Sequence, residues 1–349
     1  MTTAPAGRRR LDTSVPQPYE MPTRAPRVAS ARARQFVIAT LAAWVLGSLG
    51  ALTSIVDLGA PAWLWRPSAA LLLVVFAVVL THRIGGQLRI WASLATLLAV
   101  AAWVTGFQAL LASAAGATAV LAAVTSVMLT RPAATALQSV REFAVMLAIA
   151  VTGTVAVAAW NADADPRTFA LAVMAVAVML TLSIVWRLGS GLHGLSRHHL
   201  NILVVVAVIA VGLFFYGAFV RSYGSPALKD LMDDTIAWMR QNTGGVPRPY
   251  EFLVGFPAII VGASMRSRYR EGWWVCMFAV VGAVIVTVSL IDPKAYPSYF
   301  LWSTLYSAAL GLVIGLAVRA LVMAPRTRRA ARAVQQPTRS EPVRVAPLN

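Results

Sequence analysis

The sequence predicts an all-α protein, a polytopic transmembrane helix bundle of about ten spans with an interfacial amphipathic helix on its outer face. Three observations support this class. The chain of 349 residues is 58% hydrophobic and only 12% charged, with a mean hydropathy of +0.70. Its apolar runs are close to the ~20 residues that cross a bilayer, and its charges sort by side of the membrane.

The apolar runs place the predicted spans. They lie near residues 36–57, 62–81, 90–111, 113–130, 143–160, 168–186, 200–220, 252–265, 272–291 and 298–322. The third and fourth are inferred from one uncharged stretch between Arg89 and Arg131, which as a single helix would measure about 60 Å against a hydrocarbon core of about 30 Å. We therefore expect two helices joined by a hairpin near Gly116.

The net charge of +17 is explained by membrane topology. Arginines concentrate in the predicted tails, 1–34 and 324–349, and in alternate loops, which the positive-inside rule makes cytoplasmic. We expect both termini to be cytoplasmic, in a bacterial inner membrane, with membrane lipids as partners and no nucleic acid bound. Both tails have few large apolar residues and are predicted to be disordered, and the membrane domain is predicted to be 35–323.

Motifs for cofactors are weak. No P-loop is present, and "GSGLHG" at Gly189–Gly194 lies in a short loop with no strand before it to build a dinucleotide site. Three histidines, His193, His198 and His199, share that loop without cysteines or carboxylates nearby. We therefore predict neither a cofactor nor a metal site.

The longest outer loop is predicted to contain a helix over residues 225–240. Ser225 is a suitable N-cap and Pro226 suits the first helical position. Apolar residues from Leu228 onward follow helical spacing, with Lys229 and three aspartates on the other face. This pattern predicts a helix lying in the outer interface, or one that merely seals the bundle.

The stretch "RPYEFLVGFPAIIVG" raises the main question about function. Its apolar part, 252–265, measures only about 21 Å as a helix and contains Pro257. Such a span must begin below the outer surface or contain an unwound turn, which draws Arg248, Tyr250 and Glu251 inward. Because a lipid-facing charge is costly, Arg248 and Glu251 should face a hydrated pocket that binds an anion, or pair with each other.

Other outer residues could complete such a pocket. Arginine forks suit phosphate or carboxylate groups and flat aromatic rings suit sugars, although an aromatic belt at the interface explains single tyrosines equally well. The candidates are Arg66, Arg221, Tyr223, Lys294, Tyr296 and Tyr299. Asp163 and Asp165 in "NADADPRT" could hold a divalent cation or act as acid and base, or simply form a polar turn.

From about Leu228 to Val318, the order of an amphipathic helix, "RPYEFLVGFPAIIVG" and "SLIDPKAYPSYFLWSTLYSAALGLVIG" resembles the C-terminal membrane part of a bacterial multi-span family of unknown function. Members of that family occur near genes for cell-surface polysaccharide pyruvyl transfer. The similarity covers about a quarter of the chain, which lacks the family's sizeable extracytoplasmic domain. The resemblance implies a setting in envelope glycan assembly and no catalytic residue.

These observations predict an inner-membrane protein whose outward-facing cavity binds or translocates an anionic lipid- or glycan-linked envelope intermediate. One alternative is a membrane-embedded transferase that uses Glu251, or Asp163 and Asp165, as base or metal ligands while Arg248 neutralises phosphate. Another is a non-catalytic assembly subunit of an envelope complex. No ionisable residue lies near the middle of a span, which argues against an ordinary ion-coupled carrier.

Overall fold

The computed structural model describes residues 31–57, 59–188, 201, 204–209, 212, 216, 219–220, 222–292, 295–323, 341–342 and 344–348. Most of the predicted seventh span, the GSGLHG loop with its three histidines, Arg221 and Lys294 therefore lie outside the described residues. The contacts divide the chain between Ala39 and Thr40, within the first helix. The packing described below is that of the second unit, Thr40–Asn349.

The described residues form helices and connecting turns, with no strand among them. A 3-10 turn over Ala62–Leu64 precedes the second helix, and a π-helical turn over Tyr250–Gly255 precedes the eighth. The α-helices whose bounds the structure describes are α1 (Ala31–Leu52), α2 (Trp65–Arg83), α3 (Leu88–Thr105), α4 (Gln108–Met128), α5 (Ala136–Ala159), α6 (Pro166–Leu188), α7 (Pro226–Thr243), α8 (Phe256–Arg266), α9 (Gly272–Thr287) and α10 (Pro297–Met323).

Seven of these helices, α1 to α6 and α10, are long and apolar enough to cross a membrane. The chain is therefore a multi-pass, all-helical membrane protein, as its composition predicts. Two further predicted spans are shorter helices, because α8 has 11 residues after its π-helical turn and α9 has 16. The total of about ten spans remains a prediction.

The predicted hairpin near Gly116 is in the wrong place. The chain reverses between α3 and α4 at Gly106, which has φ of 61° and donates its N–H to the carbonyl of Ala102. Glycine is suited to this left-handed position because it has no Cβ to clash. Gly116 instead lies inside α4, where a Cβ would contact Phe169 and Val173 of α6.

α9 lies at the centre of the packing, against α4, α5, α6 and α8. Its side chains are apolar on all sides and most are buried, which is the pattern of a helix surrounded by protein. Glycines at Gly255 and Gly282 let the π-helical turn approach α9 closely, since a Cβ on Gly255 would lie 2.4 Å from the Cα of Gly282. This contact holds the start of the α8 segment tightly against α9.

A capped helix forms in the predicted outer loop. The Ser225 hydroxyl accepts a hydrogen bond from the backbone N–H of Leu228 at 3.3 Å, Pro226 is the first helical residue, and Gly244 ends α7 with φ of 74°. None of the residues of α7 is buried, and the apolar Leu231 is 63% exposed. A helix therefore forms from 226 to 243, and its position at the membrane interface remains a prediction.

Candidate functional site

The segment that follows α7 is held along the first turns of α10 by two serines. The Ser303 hydroxyl accepts the backbone N–H of Val246 at 3.0 Å, and the Ser307 hydroxyl accepts that of Arg248 at 2.8 Å. The two N–H donors are two residues apart, about 6.6 Å in an extended chain, and the two serines are four residues apart, about 6.0 Å along a helix. The spacing of the donors therefore matches that of the serines. This pairing fixes the backbone of Arg248.

The chain then enters α8 through the π-helical turn Tyr250–Gly255, in which the N–H of Phe256 bonds to the carbonyl of Glu251. Pro257 explains the wide turn, because its ring lacks an N–H and would collide with the carbonyl four residues earlier in a regular α-helix. The predicted irregularity at the start of this short span is therefore a π-helical turn. Such turns are frequent at functional sites.

Arg248 and Glu251 pair with each other, one of the two predicted alternatives. A guanidinium nitrogen of Arg248, Nη1, lies 2.7 Å from Glu251 Oε1 and 2.8 Å from the hydroxyl of Ser289. The Glu251 side chain is completely buried, whereas that of Arg248 is 22% exposed. The pair therefore presents its cationic member to the surroundings and keeps the carboxylate inside.

One aromatic ring lies over this pair, and two tyrosines lie in the neighbouring elements. The Phe300 ring lies 5.8 Å from the Arg248 guanidinium, and Tyr299, half-buried, lies 5.0 Å from that of Arg240 in α7. Tyr250 is half-buried in the π-helical turn itself. Tyr250 and Tyr299 thus lie in neighbouring elements of the same region, where a ring could stack on a ligand.

The other candidates are not brought to this pair. Arg66 lies across from the α3–α4 turn, with Nη1 3.3 Å from the position of a Cβ on Gly106. Tyr223 and Tyr296 are 78% and 77% exposed. The ring of Tyr223 lies 5.4 Å from that of Phe219.

Asp163 and Asp165 serve the turn between α5 and α6. The backbone N–H of Asp163 donates to Gln108, and the Asp165 carboxylate accepts the backbone N–H of Thr168 at 2.8 Å, as a helix N-cap does. Hydrogen bonding to Thr168 holds the pKa of Asp165 below its usual value. Both side chains are exposed, and no group of three metal-binding side chains occurs among the described residues.

A large apolar cavity lies elsewhere, between α2, α3, α4 and α6. Its volume is about 920 Å³, and its wall follows α6 from Phe169 to Leu188, which is about 28 Å of helix. Trp91 and Val176 line it while being more than half exposed, so it opens on the outer surface of the helices. None of the predicted site residues that the structure describes lines it.

One end of this cavity is polar. Arg187, Ser183, Thr81 and the glycine pair Gly85 and Gly86 lie there. Sequence reasoning treated Arg187 only as a topological charge and did not find the cavity. The one available signal is the run of small residues "ASAAGATA" in α4, several of which line the cavity and leave room that larger side chains would fill.

Comparison of the chain with family models, with curated proteins and with solved structures found no match.

Proposed function

We propose that this integral membrane protein binds an anionic lipid-linked intermediate of the cell envelope, whose hydrocarbon chain lies in the cavity between α2, α3, α4 and α6. The observation that carries the proposal is the cavity itself. Its volume of about 920 Å³ is at the upper end of the ~300–1,000 Å³ of ligand pockets, and its length is close to the hydrocarbon thickness. Its lateral opening gives a lipid an entry path from the bilayer.

Arg187 supplies the charge for the head group. Arg187 is exposed at the end of the cavity where α6 finishes. The carbonyl of the next residue, Leu188, accepts a hydrogen bond from Arg270 at 2.9 Å. An exposed guanidinium can form the bidentate contact that phosphate prefers. The cavity and Arg187 can thus bind the hydrocarbon chain and the charged head group of one amphiphilic ligand.

Arg248 lies at the opposite end of α8 from Arg270. Translocation of the intermediate would carry its head group from the Arg187 end towards the Arg248 end, where the outward-facing opening was predicted. Presentation of the intermediate to a partner protein would require only the position at the Arg187 end. The partial resemblance to a family found near polysaccharide genes supports a role in envelope glycan assembly.

The transferase alternative is less favoured by this geometry. Glu251 is completely buried and bonded to Arg248, and Asp165 caps a helix, so neither side chain is placed as a free base. The assembly-subunit alternative has one observation in its favour. α7 has no buried residue, and its apolar face could contact a partner as well as a membrane surface.

The test measures binding of a long-chain prenyl phosphate by native mass spectrometry. The corresponding neutral prenyl alcohol is the reference ligand. Leu98→Trp should abolish binding of both ligands because the indole fills the cavity. The control is Leu97→Trp, which should leave binding unchanged because Leu97 is 68% exposed and does not line the cavity. Arg187→Gln should weaken binding of the phosphate only. Arg89→Gln removes an exposed arginine outside the lining and should change nothing.

Equal binding of the prenyl phosphate by wild type and Leu98→Trp would refute the cavity as the site. Equal preference for phosphate over alcohol in wild type and Arg187→Gln would refute Arg187 as the head-group contact.

A further inference from the structure

A second group of buried charges lies at the Glu142 end of the bundle, where α2, α4 and α8 finish and α5 begins. The Glu142 side chain is completely buried. Its carboxylate accepts the backbone N–H of Arg131 at 2.8 Å and contacts the guanidinium groups of Arg141 and Arg344 at 2.8 Å each. Arg344 belongs to the C-terminal segment 341–348, which the sequence analysis assigned to a disordered tail.

The same segment supplies a carboxylate to Arg266. Arg266 is completely buried, and its Nη2 and Nε contact the two carboxylate oxygens of Glu341 at 2.5 and 3.4 Å. Its Nη1 and Nη2 also donate to the hydroxyl and the carbonyl of Thr130 at 2.8 and 3.0 Å. The guanidinium lies 3.5 Å over the ring of Trp273. The fork of Arg266 thus binds the Glu341 carboxylate, while Thr130 and the Trp273 ring hold the guanidinium in place.

Arg83 adds a second buried guanidinium. It is 1% exposed, donates to the carbonyl of Met128 at 3.1 Å and to that of Ala346 at 2.6 Å, and its own carbonyl accepts the N–H of Leu348 at 2.9 Å. It is close enough to Arg266 for the two positive charges to repel each other. The C-terminal segment therefore docks across the two arginines.

Among the residues that the structure describes, arginines outnumber carboxylates at this end. Around the carboxylates of Glu142 and Glu341, the structure describes at least five arginines, which are Arg83, Arg131, Arg141, Arg266 and Arg344. A buried cation without an anion is strongly unfavourable, so the Arg266 position requires a negative group. A phosphate group carries about −1.5 to −2 at pH 7 and would neutralise this end better than the single charge of Glu341.

We propose that Arg266 and Arg83 form a binding site for a phosphate group, that Thr130 orients the Arg266 guanidinium within it, and that Glu341 occupies it as an internal competitor. The fork of Arg266 matches two oxygens of phosphate as it matches the two oxygens of Glu341. Because Glu341 is covalently attached, it competes at an effective concentration on the order of millimolar. The site is independent of the lipid cavity, which none of these three residues lines.

The experiment uses the full chain in phosphatidylcholine nanodiscs and measures Tm as inorganic phosphate is added. Glu341→Gln should lower Tm without phosphate. With phosphate, Tm should rise at a concentration about ten-fold or more below that needed for wild type, because the competitor is gone. Asp230→Asn removes an exposed carboxylate from α7 and should respond as wild type does. Thr130→Val in the Glu341→Gln background removes the hydroxyl that holds Arg266 Nη1 and should weaken the response.

A second set of nanodiscs contains phosphatidic acid and no added phosphate. A rise in Tm of Glu341→Gln with phosphatidic acid alone identifies a lipid head group as the source, and a rise with inorganic phosphate identifies a soluble anion. The proposal is overturned if Glu341→Gln responds to neither more than wild type does, or if Asp230→Asn responds equally.

A third measurement uses wild type and does not depend on the stability of a variant. Saturating phosphate should displace the C-terminal segment and speed tryptic cleavage after Arg344, detected as release of residues 345–349. Sodium chloride at the same ionic strength is the control. Cleavage that is no faster in phosphate than in chloride would also overturn the proposal.

Discussion

Two glutamates among the described residues, Glu142 and Glu251, are completely buried at opposite ends of the helices, and their charges are satisfied in different ways. Glu251 is paired with Arg248, three residues earlier, in a contact that forms within one turn. Glu142 is bound by the Arg131 backbone and by two arginines, one of which, Arg344, is 202 residues away in the sequence. One carboxylate is neutralised locally and the other only after distant segments have assembled.

This difference has a consequence for stability. A pair that forms within one turn needs little chain ordering beyond the turn itself, whereas a contact between distant segments depends on the packing of every helix between them. We therefore expect the Glu142 end to depend on the complete fold. The Glu251 end should tolerate local exchange of its two charges.

The largest effect is expected for Glu142→Gln. The amide keeps one acceptor oxygen, but its NH₂ group would face the donors of Arg131, Arg141 and Arg344. We expect a loss of about 3 kcal/mol in the free energy of unfolding, at the low end for a broken buried pair because Arg141 is 56% exposed and can turn to water. Denaturant unfolding in detergent measures this.

The matched control is Glu271→Gln at the start of α9, because the Glu271 side chain makes no hydrogen bond or ion pair with any residue that the structure describes. A loss for Glu142→Gln no greater than that for Glu271→Gln would show that the long-range contacts contribute nothing to stability.

A smaller effect, about 2 kcal/mol, is expected for Glu251→Gln, since it leaves only one cation unpaired and that cation is 22% exposed. Adding Arg248→Gln should recover much of the loss, because the pair then becomes two amides. Thermal unfolding of the two single variants and the double variant measures this coupling.

A further variant, Arg248→Lys, tests whether Arg248 also binds an anion. Arg248→Lys keeps the charge but loses the guanidinium fork. If Arg248→Lys is as stable as wild type and fully restores envelope assembly in a deletion strain, the pair is structural only and the idea of an anion site at Arg248 fails.

The smallest effect, about 1–2 kcal/mol, is expected for Gly245→Ala. A Cβ there would lie 2.6 Å from the backbone nitrogen of Ser303 and 2.8 Å from Trp302 Cβ, so the segment that carries Arg248 must move off α10. Gly212→Ala is the control, because a Cβ there meets nothing within 4 Å. Equal Tm values for the two variants would contradict the close packing.

The sequence by itself determined the class of protein and much of its local structure. Composition and apolar run length predicted the membrane bundle, and the predicted first helical residue and N-cap of α7, Pro226 and Ser225, are observed. The cost of a lipid-facing charge led to the prediction that Arg248 and Glu251 would face a hydrated pocket or pair with each other, and the pair is observed. All of these depend on residues within a few positions of one another, where chain geometry leaves few alternatives.

Only the tertiary structure decided the rest. The cavity is lined by residues of four helices that are individually ordinary apolar positions, so no local pattern marks it. The turn at Gly106 was missed because the stretch from 90 to 130 has no charge to mark a turn, and either of its two glycines, Gly106 and Gly116, could have ended a helix. The contacts of Glu341 and Arg344 depend on where helices separated by more than a hundred residues end, which is a property of packing that neither charge nor periodicity reveals.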